Sequence, residues 1–203
     1  MIAIVLARIL AAITLLSIVP LAAGQSTKPV PSTDRRTWDI AVWGAGSTGE
    51  ENRDDFSEAQ ILRAGVFVGR TLFRDLGKGW MRGDLEWGFN LAPVFLTFNS
   101  QNIYGAGFDP IVARWNFAHR KGRISPYLEL VGGGAYTNSE LPTGDTSSFN
   151  FTATGGGGIY LATRSSQALD FGCRWLHVSN ANLGARNPEF NGVEISLGYH
   201  WFK

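Results

Sequence analysis

Residues 169–181 read Leu169-Asp170-Phe171-Gly172-Cys173-Arg174-Trp175-Leu176-His177-Val178-Ser179-Asn180-Ala181, and the alternation in this stretch decides the fold. Leu169, Phe171, Cys173 and Trp175 fall on one side of an extended chain, against Asp170, Gly172 and Arg174 on the other. Successive side chains of a β-strand point to opposite faces, so the stretch is a strand with one apolar face and one mostly polar or small face. His177 and Ser179 continue the apolar face. Two positions apart, they point the same way at roughly 7 Å between Cα atoms, a gap an imidazole can lean across to a hydroxyl. A base placed that way activates a serine. A base and a nucleophile on a greasy face point to chemistry on a lipid.

The same period-2 pattern recurs along the chain. Strands are expected at 37–46, 60–71, 80–92, 109–118, 126–136, 148–162, 168–180 and 192–202. In the third, Met81, Leu85, Trp87, Phe89 and Leu91 share one side, and Arg82, Asp84, Glu86 and Asn90 the other. The fourth sets Ile111, Trp115 and Phe117 against Arg114 and Asn116, and the fifth sets Leu128 and Leu130 against Glu129. The connections alternate in kind: 47–59, 93–108, 137–147 and 181–191 are longer and polar or Gly-rich, whereas 72–79, 119–125 and 163–167 are shorter. An even strand number with long loops at one end and short turns at the other is the signature of an outer-membrane barrel.

Two arrangements satisfy the alternation. The charged face is either the solvent side of a soluble, lipocalin-like barrel, or a small lumen filled by ion pairs while the apolar face meets lipid. Trp87, Trp115, Trp175 and Trp201 all lie on the apolar face. That is too much aromatic volume for an eight-stranded interior, which side chains already fill. The second arrangement is favoured: an all-β, eight-stranded antiparallel up-and-down transmembrane β-barrel over residues 37–203.

The N-terminus supports the same compartment. Arg8 is the only charge before Lys28, the run from Ile9 to Ala23 is almost wholly apolar, and Leu21-Ala22-Ala23-Gly24 offers small residues for cleavage before Gln25. Residues 1–24 are read as a cleavable signal peptide and 25–36 as a Pro/Ser/Thr-rich lead-in. No later apolar run approaches the roughly 20 residues of a spanning helix, so strands must make the crossing. A net charge of +1 gives no reason to expect nucleic acid, and the single cysteine, Cys173, excludes a disulfide framework and a Cys-based metal site.

Several short patterns carry little. Gly132–Gly134 and Gly155–Gly158 lack the Gly-Lys-Ser/Thr of a phosphate loop and lie within strand patterns, where close strand approach or a bend accounts for them. Arg82-Gly83-Asp84 is mid-strand, Asn150-Phe151-Thr152 is a glycosylation acceptor in name only, Cys173 reads as a small apolar outer-face residue, and His119 and His200 have no evident partner.

His177-Val178-Ser179-Asn180-Ala181, then Pro188, then Asn191-Gly192-Val193-Glu194 closing the last hairpin, resembles the lipid A 3-O-deacylase (PagL) family, whose pattern is His-x-Ser-Asn-Ala, a loop containing Pro, and Gly-Ile/Val-Glu near the C-terminus. The match covers about the last thirty residues. The resemblance implies an esterase of the outer membrane that removes the ester-linked 3-O-acyl chain from the lipid A of lipopolysaccharide, with no metal and no cofactor. It implies Ser179 as nucleophile, His177 as general base, Glu194 as the carboxylate that orients His177, and Asn180 as oxyanion donor. Lipid A and the outer membrane are then the partners, and a homodimer stays open. A non-catalytic structural or adhesive barrel is the competing reading.

Alternation and resemblance conflict at one position. Val193, Ile195, Leu197, Tyr199 and Trp201 take the lipid side, which turns Glu194 inward while His177 points outward. A bulge near 192–194 would realign the carboxylate. Without one, Glu194 becomes an interior partner of Arg174, and Glu189 is the fallback orienting carboxylate.

Overall fold

The computed structural model describes residues 37–49, 59–98, 102–118 and 123–203; the expected signal peptide, the whole lead-in and His119 lie outside the described residues. Eight strands form one closed antiparallel barrel: β1 (Trp38–Gly49), β2 (Gln60–Leu76), β3 (Gly83–Phe98), β4 (Asn102–Phe117), β5 (Ile124–Thr137), β6 (Phe149–Arg164), β7 (Gln167–Ser179) and β8 (Phe190–Phe202). Each strand pairs with its sequence neighbour, and β1 against β8 closes the ring, from Asp39 opposite Phe202 to Gly49 opposite Gly192. Among the described residues, no helix is long and apolar enough to cross a membrane.

The two faces divide as the alternation requires. Trp87, Phe89, Leu91, Leu128, Leu130, Phe171, Trp175, Val193 and Ile195 are exposed on the outside, whereas Asp39, Arg63, Glu86, Arg114, Glu129, Asp170, Glu194 and His200 are buried inside. A water-soluble barrel would bury the first set and expose the second. The lipid-facing arrangement is therefore the one adopted, and the soluble carrier reading falls.

Buried charges are tolerable only when paired, and the lumen pairs them in tiers. Arg63 grips Glu194 with two hydrogen bonds of 2.9 Å. Arg174 lies 2.8 Å from Glu129 and 3.5 Å from Glu194. Arg114 bonds Glu129 and donates to the Tyr160 hydroxyl at 2.6 Å. His200, for which the sequence showed no partner, contacts Asp39 at 2.8 Å from a position 161 residues away. The Tyr127 hydroxyl crosses to Asp170 at 2.8 Å. A Cβ on Gly158 would sit 2.5 Å from that hydroxyl, as the close-approach reading of 155–158 expects, and one on Gly172 3.0 Å away, so both glycines clear its path.

Toward the end bearing the connections 50–59, 99–101, 138–148 and 180–189, the interior turns apolar. Ile61, Phe95, Ile103, Leu141, Leu176, Val178 and Phe190 pack there with Ala59 and Ala135. The barrel is thus ionic in one part of its lumen and dry in the other.

Two strand limits differ from the sequence reading for one physical reason. β3 continues to Phe98 and β4 begins at Asn102, so the expected 93–108 loop shrinks to 99–101. Register shifts fall between Ala92 and Phe95 and between Phe108 and Ile111. Pro93 and Pro110 occupy those irregularities, where the missing N–H costs no ladder bond. Each bulge flips the parity of the buried positions, which breaks the period that marks a strand. At the other end, Gly79–Met81 forms a 3-10 turn rather than the start of β3.

Candidate active site

The outward faces of β7 and β8 meet at the end capped by the 180–189 connection. The His177 Nε2 lies 3.0 Å from the Ser179 Oγ, and its Nδ1 lies 2.9 Å from the Asn191 Oδ1. Strand geometry supplies both contacts. His177 and Ser179 share a face because they are two apart on β7, and Asn191 is the cross-strand partner of His177 on β8. Imidazole has two ring nitrogens, and both are occupied in a linear chain from amide to ring to hydroxyl. Ser179 is 9 % exposed, so its hydroxyl is largely screened from competing water.

The backs of the same strands hold this chain in place. Leu176 and Val178, on either side of His177, and Phe190, next to Asn191, are all 0 % exposed in the apolar tier of the lumen. A side chain mounted on strands whose inward neighbours are fully packed keeps its rotamer and its distances. Outward, the neighbours are apolar: Phe151 is the cross-strand partner of Ser179 and Ala153 that of His177, while Phe151, Trp175 and Val193 are exposed. The pair therefore lies on the side of the barrel wall whose exposed neighbours are apolar.

Glu194 does not join this chain. It sits opposite Arg174 on β8, three residues beyond Asn191, and the β7–β8 pairing runs from Gln167–Trp201 to Val178–Phe190 without a register shift. The bulge that would have turned the carboxylate outward is absent, and the expectation that Glu194 faces His177 is corrected: Arg63 and Arg174 hold it in the lumen. Alternation alone gave the right side for this residue. The fallback, Glu189, is exposed and reaches neither ring nitrogen.

Asn180 is fully buried and organises the connection that follows. Its Nδ2 donates to the Arg186 carbonyl at 2.7 Å, its Oδ1 accepts the Asn182 N–H at 2.9 Å, and its own N–H donates to the Asn187 Oδ1 at 2.9 Å. These bonds hold Ala181 and Asn182 at φ of 51° and 64°, left-handed conformations that a non-glycine side chain adopts at a cost of about 1–3 kcal/mol. The chain thereby turns away sharply just past Ser179.

The sequence reading includes Asn191 in the motif but gives it no role. Its signal was present: counting back by two from the lipid-facing Val193 places it on the His177 side. An amide is easily passed over when a carboxylate is sought. No group of three or more His, Cys, Asp or Glu among the described residues could hold a metal ion.

A crystal structure of the outer membrane enzyme PagL is similar to this fold, with a TM-score of 0.54, 19 % identity, and coverage of 80 % of this chain and 98 % of that one. Neisserial surface protein A (TM-score 0.49, 14 % identity, covering 81 % of this chain and 96 % of that one) is more distant. So is the outer membrane protein OprG from Pseudomonas aeruginosa (0.46, 10 %, 83 % and 97 %). The first of these likenesses shows the fold, that of an outer-membrane barrel. No curated protein matches the sequence. The family described as lipid A 3-O-deacylase (PagL) matches residues 62–200, from β2 to β8. The chain therefore belongs to the lipid A 3-O-deacylase (PagL) family, a family of ester hydrolases acting on a lipid.

Proposed function

We propose that the protein is a serine esterase of the outer membrane that releases the ester-linked 3-O-acyl chain of lipid A. The observation that carries this reading is the 3.0 Å contact between the His177 Nε2 and the Ser179 Oγ, placed on the lipid-facing side of a barrel that belongs to this family.

The chemistry follows from that contact. As the Ser179 Oγ attacks the ester carbonyl, His177 takes its proton at Nε2, and a tetrahedral oxyanion forms. Collapse expels the sugar 3-oxygen, which receives the proton from His177 and leaves as an alcohol. The acyl group stays on Ser179. Water, deprotonated by the same nitrogen, then releases a free hydroxy fatty acid and restores the serine. In this reading Asn180 supplies the oxyanion donor, because its Nδ2 carries a second proton beyond the one given to the Arg186 carbonyl.

The position of the site suits the substrate. Lipid A is anchored in the outer leaflet by its own acyl chains, so an esterase for it must be open to the side of the barrel. Phe151, Trp175 and Val193 provide an apolar approach on either side of the dyad. Expression in a Gram-negative host should lower the lipid A mass by one hydroxyacyl chain, and Ser179→Ala should leave that mass unchanged. An unaltered lipid A profile with correctly inserted wild-type barrel would overturn the proposal.

A further inference from the structure

We infer that Asn191 is the positioning residue of this site, and that the relay from it through His177 to Ser179 carries no carboxylate. The inference rests on the esterase reading above and specifies how its base is held.

Three observations support it. The first is the contact itself, 2.9 Å from the Asn191 Oδ1 to the His177 Nδ1. With the amide oxygen as acceptor, the ring proton resides on Nδ1 and the lone pair on Nε2. Only that tautomer can accept the Ser179 proton. The second is the register. Asn191 and His177 are directly opposed in an unbroken antiparallel ladder, and Phe190, beside Asn191, is fully buried opposite Val178. The amide is fixed by the hairpin rather than borrowed from a loop.

The third is that the described residues offer no better partner. Around His177 the outward side chains are Phe151 and Ala153 on β6, Trp175 and Ser179 on β7, and Asn191 and Val193 on β8, all uncharged. The 180–189 connection contributes two charged residues, Arg186 and Glu189, both exposed. The two acidic side chains the sequence offered, Glu194 and Glu189, are respectively locked in the lumen and out of contact.

The arrangement has a chemical consequence. A carboxylate at this place does two things: it fixes the tautomer, and it stabilises the imidazolium that forms as the serine attacks. An amide does the first and contributes little to the second. Other nucleophilic hydrolases use an Asn in the third place, so a neutral orienter is chemically sufficient. The enzyme should run with its base correctly held and its transition-state charge only partly compensated.

The test uses the detergent-solubilised, full-length barrel with purified lipopolysaccharide as substrate and 15N-histidine NMR as a readout independent of turnover. In the wild type, His177, assigned by the resonance lost in His177→Gln, should carry its proton on Nδ1. Asn191→Leu, which keeps the volume and loses the acceptor, should erase that preference. Its kcat should fall about 10²-fold or more, the scale of a general base, with KM unchanged. Asn191→Asp, which restores an acceptor of the same reach and adds charge, should recover the Nδ1 tautomer and turn over at least as fast as the wild type.

A wild-type proton on Nε2, an Asn191→Leu tautomer or kcat within twofold of wild type, or an Asn191→Asp enzyme as impaired as Asn191→Leu would each overturn the inference. Failure of the esterase reading shows differently. Ser179→Ala would then retain deacylation, or wild type would lack it, whatever the ring tautomer.

Discussion

The β7–β8 hairpin carries two polar clusters back to back. On its outer side a neutral chain of Asn191, His177 and Ser179 uses two hydrogen bonds of 2.9 and 3.0 Å. On its inner side, three residues along, Glu194 is clamped by Arg63 and Arg174 in full burial. The residue types of the inner cluster look more catalytic than those of the outer. Their surroundings differ: the inner carboxylate neutralises buried cations, whereas the outer amide touches the His177 ring. A carboxylate inside a barrel of this kind is first a structural counterion.

The largest effect is expected in the outer cluster. Replacing Ser179 by alanine should remove turnover almost entirely, on the order of 10⁶-fold by the example of serine proteases, with heat-modifiable migration on gels unchanged. Residual deacylation above a hundredth of wild type would show that the outer cluster is not the engine. The inner cluster should respond in the opposite way. Glu194→Ala removes the bidentate partner of Arg63, leaving it only the 3.9 Å contact with Asp109 while Arg174 keeps Glu129, and removal of one partner from a buried pair costs roughly 3–5 kcal/mol. Urea titration of the barrel should show that loss, while kcat of the folded fraction stays within about twofold.

The apolar tier behind the site sharpens the contrast by touching both functions. Leu176→Ala opens a cavity next to His177, for which about 2–5 kcal/mol of stability is expected. Because the cavity undermines the strand that presents the base, kcat should decline along with the unfolding midpoint, unlike in Glu194→Ala. The smallest effect belongs to the lipid-facing surface itself. Cys173 is exposed there, and Cys173→Ala should shift stability by no more than about 0.5 kcal/mol and leave deacylation alone. A larger change in either would mean that this surface packs against something.

Much of the architecture was legible because a barrel wall makes every strand amphipathic. Leu85 to Leu91 and Leu169 to Trp175 announce their faces by parity alone, and the sidedness of Arg174 and Glu194 follows from it. What parity could not survive was a bulge. Pro93 and Pro110, each sitting where two successive residues point the same way, made real strand look like loop. Partners across the barrel were also invisible. Nothing local pairs His200 with Asp39, or Arg63 with Glu194, because those contacts exist only after the ring closes. Within the candidate site, the proximity of His177 and Ser179 is legible from spacing, whereas the contact between His177 and Asn191 depends on the β7–β8 register.

The layered interior has a consequence for the cell that makes this protein. An ion entering the lumen would meet fixed charges already satisfied by one another and then a dry tier of Ile61, Phe95, Leu176, Val178 and Phe190. The cavity amid the charged groups, lined by Arg63, Arg114, Glu129, Asp170, Arg174 and His200, measures about 10 Å³, room for about one water. Such a barrel should conduct ions poorly. Abundant expression should leave the outer membrane as tight to antibiotics and salts as before, so any change in permeability that accompanies it reports altered lipid rather than leakage through the protein.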